Sequence, residues 1–193
     1  TEGQAIRGVA SDTMVVLAQR WAEEYMKSNP SVKIQVTGGG SGTGIAALLN
    51  GTTDFANSSR KIKSEERAGV EASGKKVFEI AVALDALSVV VNKENPVSTL
   101  SLPQIGKIYS GYINNWKQVG GPDHAIIRYS RESNSGTYSF VKDEVMKGRD
   151  YGVTGKTMSG TSEVAEAVAR DKFGIGYGGA FNMGKAHLGE MAK

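Results

Sequence analysis

A chain of 193 residues with 39% hydrophobic residues holds enough apolar material for one large core or two small ones. The absence of cysteine excludes disulfides, zinc–thiolate sites and thiol nucleophiles, and the longest apolar stretches, such as Ala86 to Val91, fall well short of the roughly 20 residues a membrane helix needs. A formal net charge of +3 favours an anionic partner, but Lys61, Lys63 and Lys75-Lys76 stand among acids and form no basic run of the kind that tracks phosphates, so no nucleic acid is expected.

Gln4 to Val9 alternates as a short strand and leads into Ser11-Asp12-Thr13, side chains that cap helices. Met14, Leu17, Ala18, Trp21 and Tyr25 then recur at helical spacing and mark one apolar face. After Asn29-Pro30, Val32 to Thr37 alternates as a strand and enters Gly38-Gly39-Gly40-Ser41-Gly42-Thr43-Gly44, with a short helix from Ile45 that stops at Asn50-Gly51. A strand over Asp54 to Asn57 meets Ser58-Ser59-Arg60, a helix opens near Ser64-Glu65-Glu66, and Val77 to Ala83 and Leu87 to Asn92 read as buried strands. Strands alternating with helices predict a largely parallel α/β sheet.

A second unit begins at Asp85. Ser101 caps a helix with Pro103 in its first turn and Ile105, Ile108 and Tyr109 on one face. Ile126 to Tyr129 is a strand ending at Ser130-Arg131, Ser133-Asn134-Ser135-Gly136-Thr137 opens a helix carrying Tyr138, Phe140, Val141 and Val145, and Ser162 to Arg170 forms another before a strand over Phe173 to Tyr177.

Three strand-to-helix junctions, at Ser11-Asp12-Thr13, Gly40 to Gly44 and Ser135-Gly136-Thr137, carry hydroxyls and glycines. A helix N-terminus offers unbonded N–H donors and a positive dipole end, glycine admits an anion to the backbone, and Ser or Thr adds donors, so each junction suits oxyanion oxygens. In open α/β sheets such junctions gather beyond the carboxyl ends of the strands. Each is equally explained, taken alone, by ordinary capping and turn formation. Arg131, at a strand end before the third junction, adds a fork for two oxyanion oxygens, or else a surface ion pair with Glu132 or Asp143.

Other chemistries lack their residues. Gly39-x-x-x-x-Gly44 is followed by Ile45 where a nucleotide P-loop needs Lys. Gly174-x-Gly176-x-x-Gly179 fits the dinucleotide fingerprint by spacing only, since the 14 residues after Gly179 leave no room for the helix and second strand that complete it. The histidines, His124 and His187, lie in a Gly-Pro-Asp-His turn and near the chain end, away from Ser41, so no serine triad is expected; no cluster has metal-ligand spacing, and no cofactor is expected.

Taken in order, Ser11-Asp12-Thr13, Gly39-Gly40-Ser41-Gly42-Thr43-Gly44, Asp54-Phe55-Ala56-Asn57-Ser58-Ser59-Arg60, Ile108-Tyr109-Ser110-Gly111 with Asn115-Trp116, Arg131-Glu132-Ser133-Asn134-Ser135-Gly136-Thr137 and Gly174-Ile175-Gly176-Tyr177 resemble the periplasmic phosphate-binding proteins of ABC transporters over nearly the whole chain. The resemblance implies a type II periplasmic-binding-protein fold whose two lobes close by a hinge over inorganic phosphate. It implies lobe 1 over 1–84, rejoined by 180–193, and lobe 2 over 85–179. Position by position it implies Asp12 and Thr13, Ser41 and Ser59 as ligand-binding residues of the first lobe, and Arg131, Ser135, Gly136 and Thr137 as those of the second. It further implies an extracytoplasmic receptor, its signal peptide removed, that is not an enzyme and hands phosphate to an ABC-transporter permease. A receptor or sensor for sulfate, molybdate or phosphonate, or an adhesin, would share the fold; an enzyme acting on phosphate esters lacks its base, nucleophile and metal set.

The chain departs from the family in two places. Some members carry an Asp that accepts the proton of hydrogen phosphate where Ser59 stands here, and Asp12 is the candidate to replace it, because a carboxylate accepts from protonated phosphate and repels sulfate. Family members also return to the first lobe after the Gly176-Tyr177-Gly178-Gly179 region, so the first lobe is expected to be incomplete at Lys193 or completed by a partner chain.

Overall fold

The computed structural model describes residues 5–185. Contacts group Thr1–Ala83 with Asn134–Gly136 as unit 1, and Leu84–Ser133 with Thr137–Lys193 as unit 2. The architecture is α/β throughout, with one sheet in each unit.

In unit 1, strand β1 (Ile6–Ala10) passes to helix α1 (Asp12–Ser28) through Ser11, whose backbone is extended and whose hydroxyl accepts the Met14 N–H at 3.1 Å. Ser11 is therefore the cap, and Asp12 is the first helical residue rather than the capping one. Strands β2 (Ile34–Gly38) and β3 (Phe55–Asn57) flank β1 in a three-stranded sheet of order β2-β1-β3, parallel at both pairings. Helix α2 (Ser41–Asn50) begins at Ser41 rather than Ile45, absorbing much of the expected glycine loop. It can do so because it lies directly on the sheet: a Cβ on Gly44 would sit 3.0 Å from the Val9 carbonyl oxygen and 3.2 Å from the Ala56 Cβ. Gly51, left-handed at φ 70°, ends it. Helix α3 (Ser64–Ala72) closes the unit's regular structure.

Two expectations about this unit's core change. The covered residues of α1 are the small Ala18 and Ala22, while Leu17, Trp21 and Tyr25 are exposed, Trp21 by 42%. The helix meets the sheet through its small side chains and leaves its large ones outside. Val77 to Ala83 is not a buried strand: it carries no ladder bonds, and Phe78 and Ile80 are 83% and 77% exposed. Alternation makes a strand possible, but pairing needs a neighbour, and the described sheet of unit 1 consists of β1, β2 and β3.

Unit 2 is built on a four-stranded sheet of β4 (Leu87–Val91), β5 (Ile127–Arg131), β6 (Lys156–Met158) and β7 (Gly174–Gly179) in the order β4-β7-β5-β6. β4 runs antiparallel to β7, so the sheet is mixed rather than largely parallel. Helix α4 (Leu102–Tyr109) starts at Ser101 with a reciprocal cap, since the Ser101 N–H donates to Gln104 Oε1 at 2.8 Å. α5 (Gly136–Phe140) continues as a π-helical turn, and α6 (Thr161–Arg170) covers the sheet. One core cluster gathers Val91, Ile105, Ile108, Tyr109, Trp116, Met146, Ile175 and Tyr177; the other joins Val90, Tyr129, Val164, Val168 and Met183.

The glycines of β7 explain their own spacing. A Cβ on Gly176 would lie 2.5 Å from Val164 Cγ1 and one on Gly178 2.4 Å from Thr161 Cγ2, so the pattern is the footprint of α6 pressed on the strand. Arg128, 2% exposed, is a buried cation of the unit. It donates to the carbonyls of Ile108 and Ile113, to Thr154 Oγ1 and to Asn114 Oδ1.

The sequence places residues 180–193 with the first lobe. Of these, α7 (Ala180–Lys185) lies against α6, β4 and β7 of unit 2, because it follows β7 directly and Met183 enters the Val164–Val168 cluster. The remainder, with His187, lies outside the described residues.

Candidate functional site

The three parallel strands of unit 1 end at one level. Ala10, the last residue of β1, is opposite Gly38 of β2 and Asn57 of β3, the last residues of those strands. The Ser11 N–H donates to the Asn57 carbonyl at 2.8 Å, and the Gly40 N–H to the Ala10 carbonyl at 3.3 Å, which ties the three exits together. Ser11-Asp12-Thr13, Gly39-Gly40-Ser41 and Ser58-Ser59-Arg60 thus leave from the same edge.

Two of the expected ligand residues are in direct contact. Ser41 Oγ accepts the Ser59 N–H at 3.1 Å and lies 3.3 Å from Ser59 Oγ. The segment Asn134–Gly136 belongs to this unit, although Ser135 and Gly136 were expected from the second lobe. The reason lies in its bonds: the Asn134 carbonyl accepts the Gly42 N–H at 3.0 Å, and Asn134 Nδ2 donates to the Gly39 carbonyl at 3.0 Å. A Cβ on Gly40 would come within 2.8 Å of the Asn134 carbonyl oxygen, so that glycine makes room for this segment. Gly136 then stands against the hydroxyl pair. A Cβ there would meet Ser41 Oγ at 2.3 Å and Ser59 Oγ at 2.5 Å. Ser41, Ser59 and Gly136 are brought together; Asp12 and Thr13 share the strand-end level, in the first turn of α1.

Asn134 was legible only as part of a motif, and no propensity marks its carbonyl as a tie to the glycine loop. Asn57 was quoted in the same way. Its Nδ2 is buried at the strand end with no acceptor among the described residues, a donor that costs about 1–3 kcal/mol unless something accepts it.

The loop after Ser59 is clamped. Arg60 forms a fork with Glu66, Nη1 to Oε2 at 2.8 Å and Nη2 to Oε1 at 2.6 Å, and Glu66 also accepts the Lys63 N–H at 2.9 Å. The hydrogen bond from Arg60 holds the Glu66 carboxyl below its usual pKa range, against the opposing effect of partial burial.

Arg131 and Thr137 belong to unit 2. Arg131 is the last residue of β5 and 3% exposed, so the surface ion pair with Glu132 or Asp143 does not describe it. Its guanidinium donates to Thr161 Oγ1 at 3.0 Å and to the Ser159 carbonyl at 2.9 Å, and its backbone N–H to the Tyr177 hydroxyl at 3.3 Å. Thr161, the first residue of α6, escaped the sequence reading because nothing in a Gly-Thr-Ser helix start signals a guanidinium partner. Thr137 lies in the first turn of α5 and is buried. His124 stacks on the Phe173 ring, centroids 3.4 Å apart, with Nδ1 3.0 Å from the Ala125 carbonyl. Among the described residues no group of three or more His, Asp or Glu is placed to hold a metal ion.

Residues 1–187 match the family model of the PBP superfamily domain. The chain is 35% identical over 181 residues to the phosphate-binding protein PstS of Staphylococcus haemolyticus, covering 92% of this chain and 56% of that protein. The chain thus spans about half the length of the curated relatives it matches. Among solved structures, a phosphate ABC transporter substrate-binding protein with bound phosphate from Clostridium perfringens superposes with a TM-score of 0.82 at 29% identity, over 92% of this chain and 71% of that one. An ABC-type phosphate transport receptor from Vibrio cholerae gives 0.74 at 29% identity, over 94% and 73%.

Proposed function

The chain belongs to the PBP superfamily and has its type II fold, and from that premise we propose that it captures inorganic phosphate as an extracytoplasmic, non-enzymatic receptor serving an ABC-transporter permease. The proposed ligand set is Asp12, Thr13, Ser41, Ser59, Ser135 and Gly136 from unit 1, with Arg131 and Thr137 from unit 2.

The observation that carries this reading is the contact of Ser41, Ser59 and Gly136 at strand ends of equal level. Two hydroxyls stand directly against a position without a side chain, so backbone and hydroxyl groups converge there as closely as oxyanion binding requires. The α1 and α2 N-termini rise from the same edge, and their dipole ends favour negative charge. A buried, unsatisfied Asn57 amide beside Ser58 also suits an oxyanion acceptor. The relatives named for phosphate binding supply the choice of anion. Asp12, in the first turn of α1, is the proposed acceptor for the proton of hydrogen phosphate.

Calorimetric titration of phosphate-stripped protein, first with phosphate and then with sulfate, tests the reading. Tight phosphate binding with little sulfate response is expected, and folded protein that binds neither anion would overturn it. Asp12→Asn should narrow the gap between the two anions; an unchanged preference would remove Asp12 from the acceptor role.

A further inference from the structure

Two motifs that carry the family resemblance, Tyr109-Ser110-Gly111 and Gly174-Ile175-Gly176-Tyr177, contribute no proposed ligand residue. Their tyrosines nevertheless meet: the Tyr109 and Tyr177 rings lie edge to face, centroids 5.1 Å apart, and Tyr109 makes the same kind of contact with Tyr151 at 6.1 Å. We propose that Tyr177, acting with Tyr151, is a positioning residue that fixes the Arg131 end of β5 to the start of α5, and so sets unit 2's share of the anion-binding groups. The inference rests on the phosphate-binding reading.

A hydrogen-bond chain of fixed direction links the two tyrosines to the backbone. The Tyr151 hydroxyl donates to the Tyr138 carbonyl at 3.1 Å, and a carbonyl can only accept, so the Tyr151 proton is committed there. The 2.8 Å contact between the Tyr151 and Tyr177 hydroxyls is then a donation from Tyr177 to Tyr151. This leaves the Tyr177 oxygen to accept the Arg131 N–H. Each phenol accepts once and donates once, an arrangement in which neighbouring bonds reinforce one another.

Both ends of the chain are backbone groups. One belongs to Arg131, the last residue of β5; the other belongs to Tyr138, which follows Thr137 in α5. Two hydroxyls therefore measure the distance from the strand end to the helix start. Their rings cannot swing away, because Tyr177 is buried in the core cluster and Tyr138 stacks on Tyr151 with centroids 4.3 Å apart. Thr161 and the Ser159 carbonyl hold the guanidinium while Tyr177 holds the backbone that bears it. Burial pushes the Tyr177 hydroxyl up to about 12 and Tyr151 further, so the chain keeps its protons throughout the neutral range.

The test compares Tyr177→Phe, Tyr151→Phe, the double variant and a control, Tyr112→Phe, on an exposed ring. Phosphate affinity is measured by calorimetry, and exchange of the Arg131 backbone amide by NMR. Each hydroxyl deletion should weaken phosphate binding about ten-fold, with the control unchanged. The double variant should be little worse than Tyr177→Phe, since one chain is broken in either case. In Tyr177→Phe the Arg131 amide should exchange faster while the β4–β7 ladder keeps its protection, which shows the fold intact. Wild-type affinity in both single variants would overturn the positioning role and leave the functional reading standing. Wild-type protein that binds no phosphate would overturn the functional reading instead. The Arg131 amide, which needs no anion, then decides the role alone: faster exchange supports it, and unchanged exchange overturns it.

Discussion

The two units differ in where their apolar side chains go. In unit 2 the large residues of helices and strands converge into two clusters around Trp116 and Val164. In unit 1 the buried apolar residues are mostly small, Ala10, Ala18 and Ala22 with Ile45 and Val70, while Trp21, Tyr25, Phe78 and Ile80 face outward. Unit 1 instead holds the loops in which Ser41, Ser59 and Gly136 meet. The larger apolar core lies in unit 2 and the Ser41–Ser59–Gly136 contact in unit 1, so core and loop substitutions should have separable effects.

The largest expected effect is on the core. Trp116→Ala removes a fully buried indole whose Nε1 donates to the Phe173 carbonyl, and should lower unfolding free energy by about 3–5 kcal/mol by circular dichroism in denaturant. Next comes Gly136→Ala, whose methyl would overlap both serine hydroxyls. It should weaken phosphate binding about 100-fold, roughly 2.7 kcal/mol, with little change in unfolding midpoint. If it unfolds the protein instead, the separation of core and loop fails.

A smaller effect belongs to the Arg60–Glu66 clamp. Glu66→Gln should cost about 1–2 kcal/mol at neutral pH. Because the folded carboxyl titrates below its ordinary range, the wild-type advantage is complete above the unfolded pKa. It should disappear as pH falls through the lowered folded value, and denaturation curves between neutral and acidic pH test that window. A penalty that grew on acidification would contradict the assignment. Smallest of all, Trp21→Ala should cost no more than about 1 kcal/mol, because the residue is 42% exposed and belongs to neither core cluster. A cost near that of Trp116 would show that the comparison undervalues unit 1.

Much of the site could be read from residues alone because its elements are local. Hydroxyls and glycines following a strand mark a helix start, and two such starts, at Ser11-Asp12-Thr13 and Gly40 to Gly44, point to one edge once the sheet is parallel. What stayed illegible depends on non-local contact. Val77 to Ala83 alternates like a strand, but pairing is a property of a neighbour. Tyr25 and Trp21 share a helical face, but Ala18 and Ala22 decide which side the sheet covers. Asn134 ties to Gly39 and Gly42 across a long stretch of sequence, which moved Ser135 and Gly136 from the expected lobe to unit 1. For Arg131 the sequence left an oxyanion fork and a surface ion pair side by side, because Thr161 and Ser159, which its guanidinium meets, are distant in sequence.

Arg128 carries a consequence for how unit 2 responds to its medium. Its charge is met by carbonyls, an amide and a hydroxyl rather than by a carboxylate, and the Ile108 carbonyl belongs to the last turn of α4, the negative end of that helix dipole. Dissolved ions weaken attractions between charges they can surround, and they cannot enter this site. The bond between strand β5 and the end of α4 is therefore insensitive to ionic strength, whereas surface pairs such as Lys117–Asp123 fade as salt is added. Strand β5, which also bears Arg131, is thus braced at its Arg128 end by a contact that added salt should leave in place.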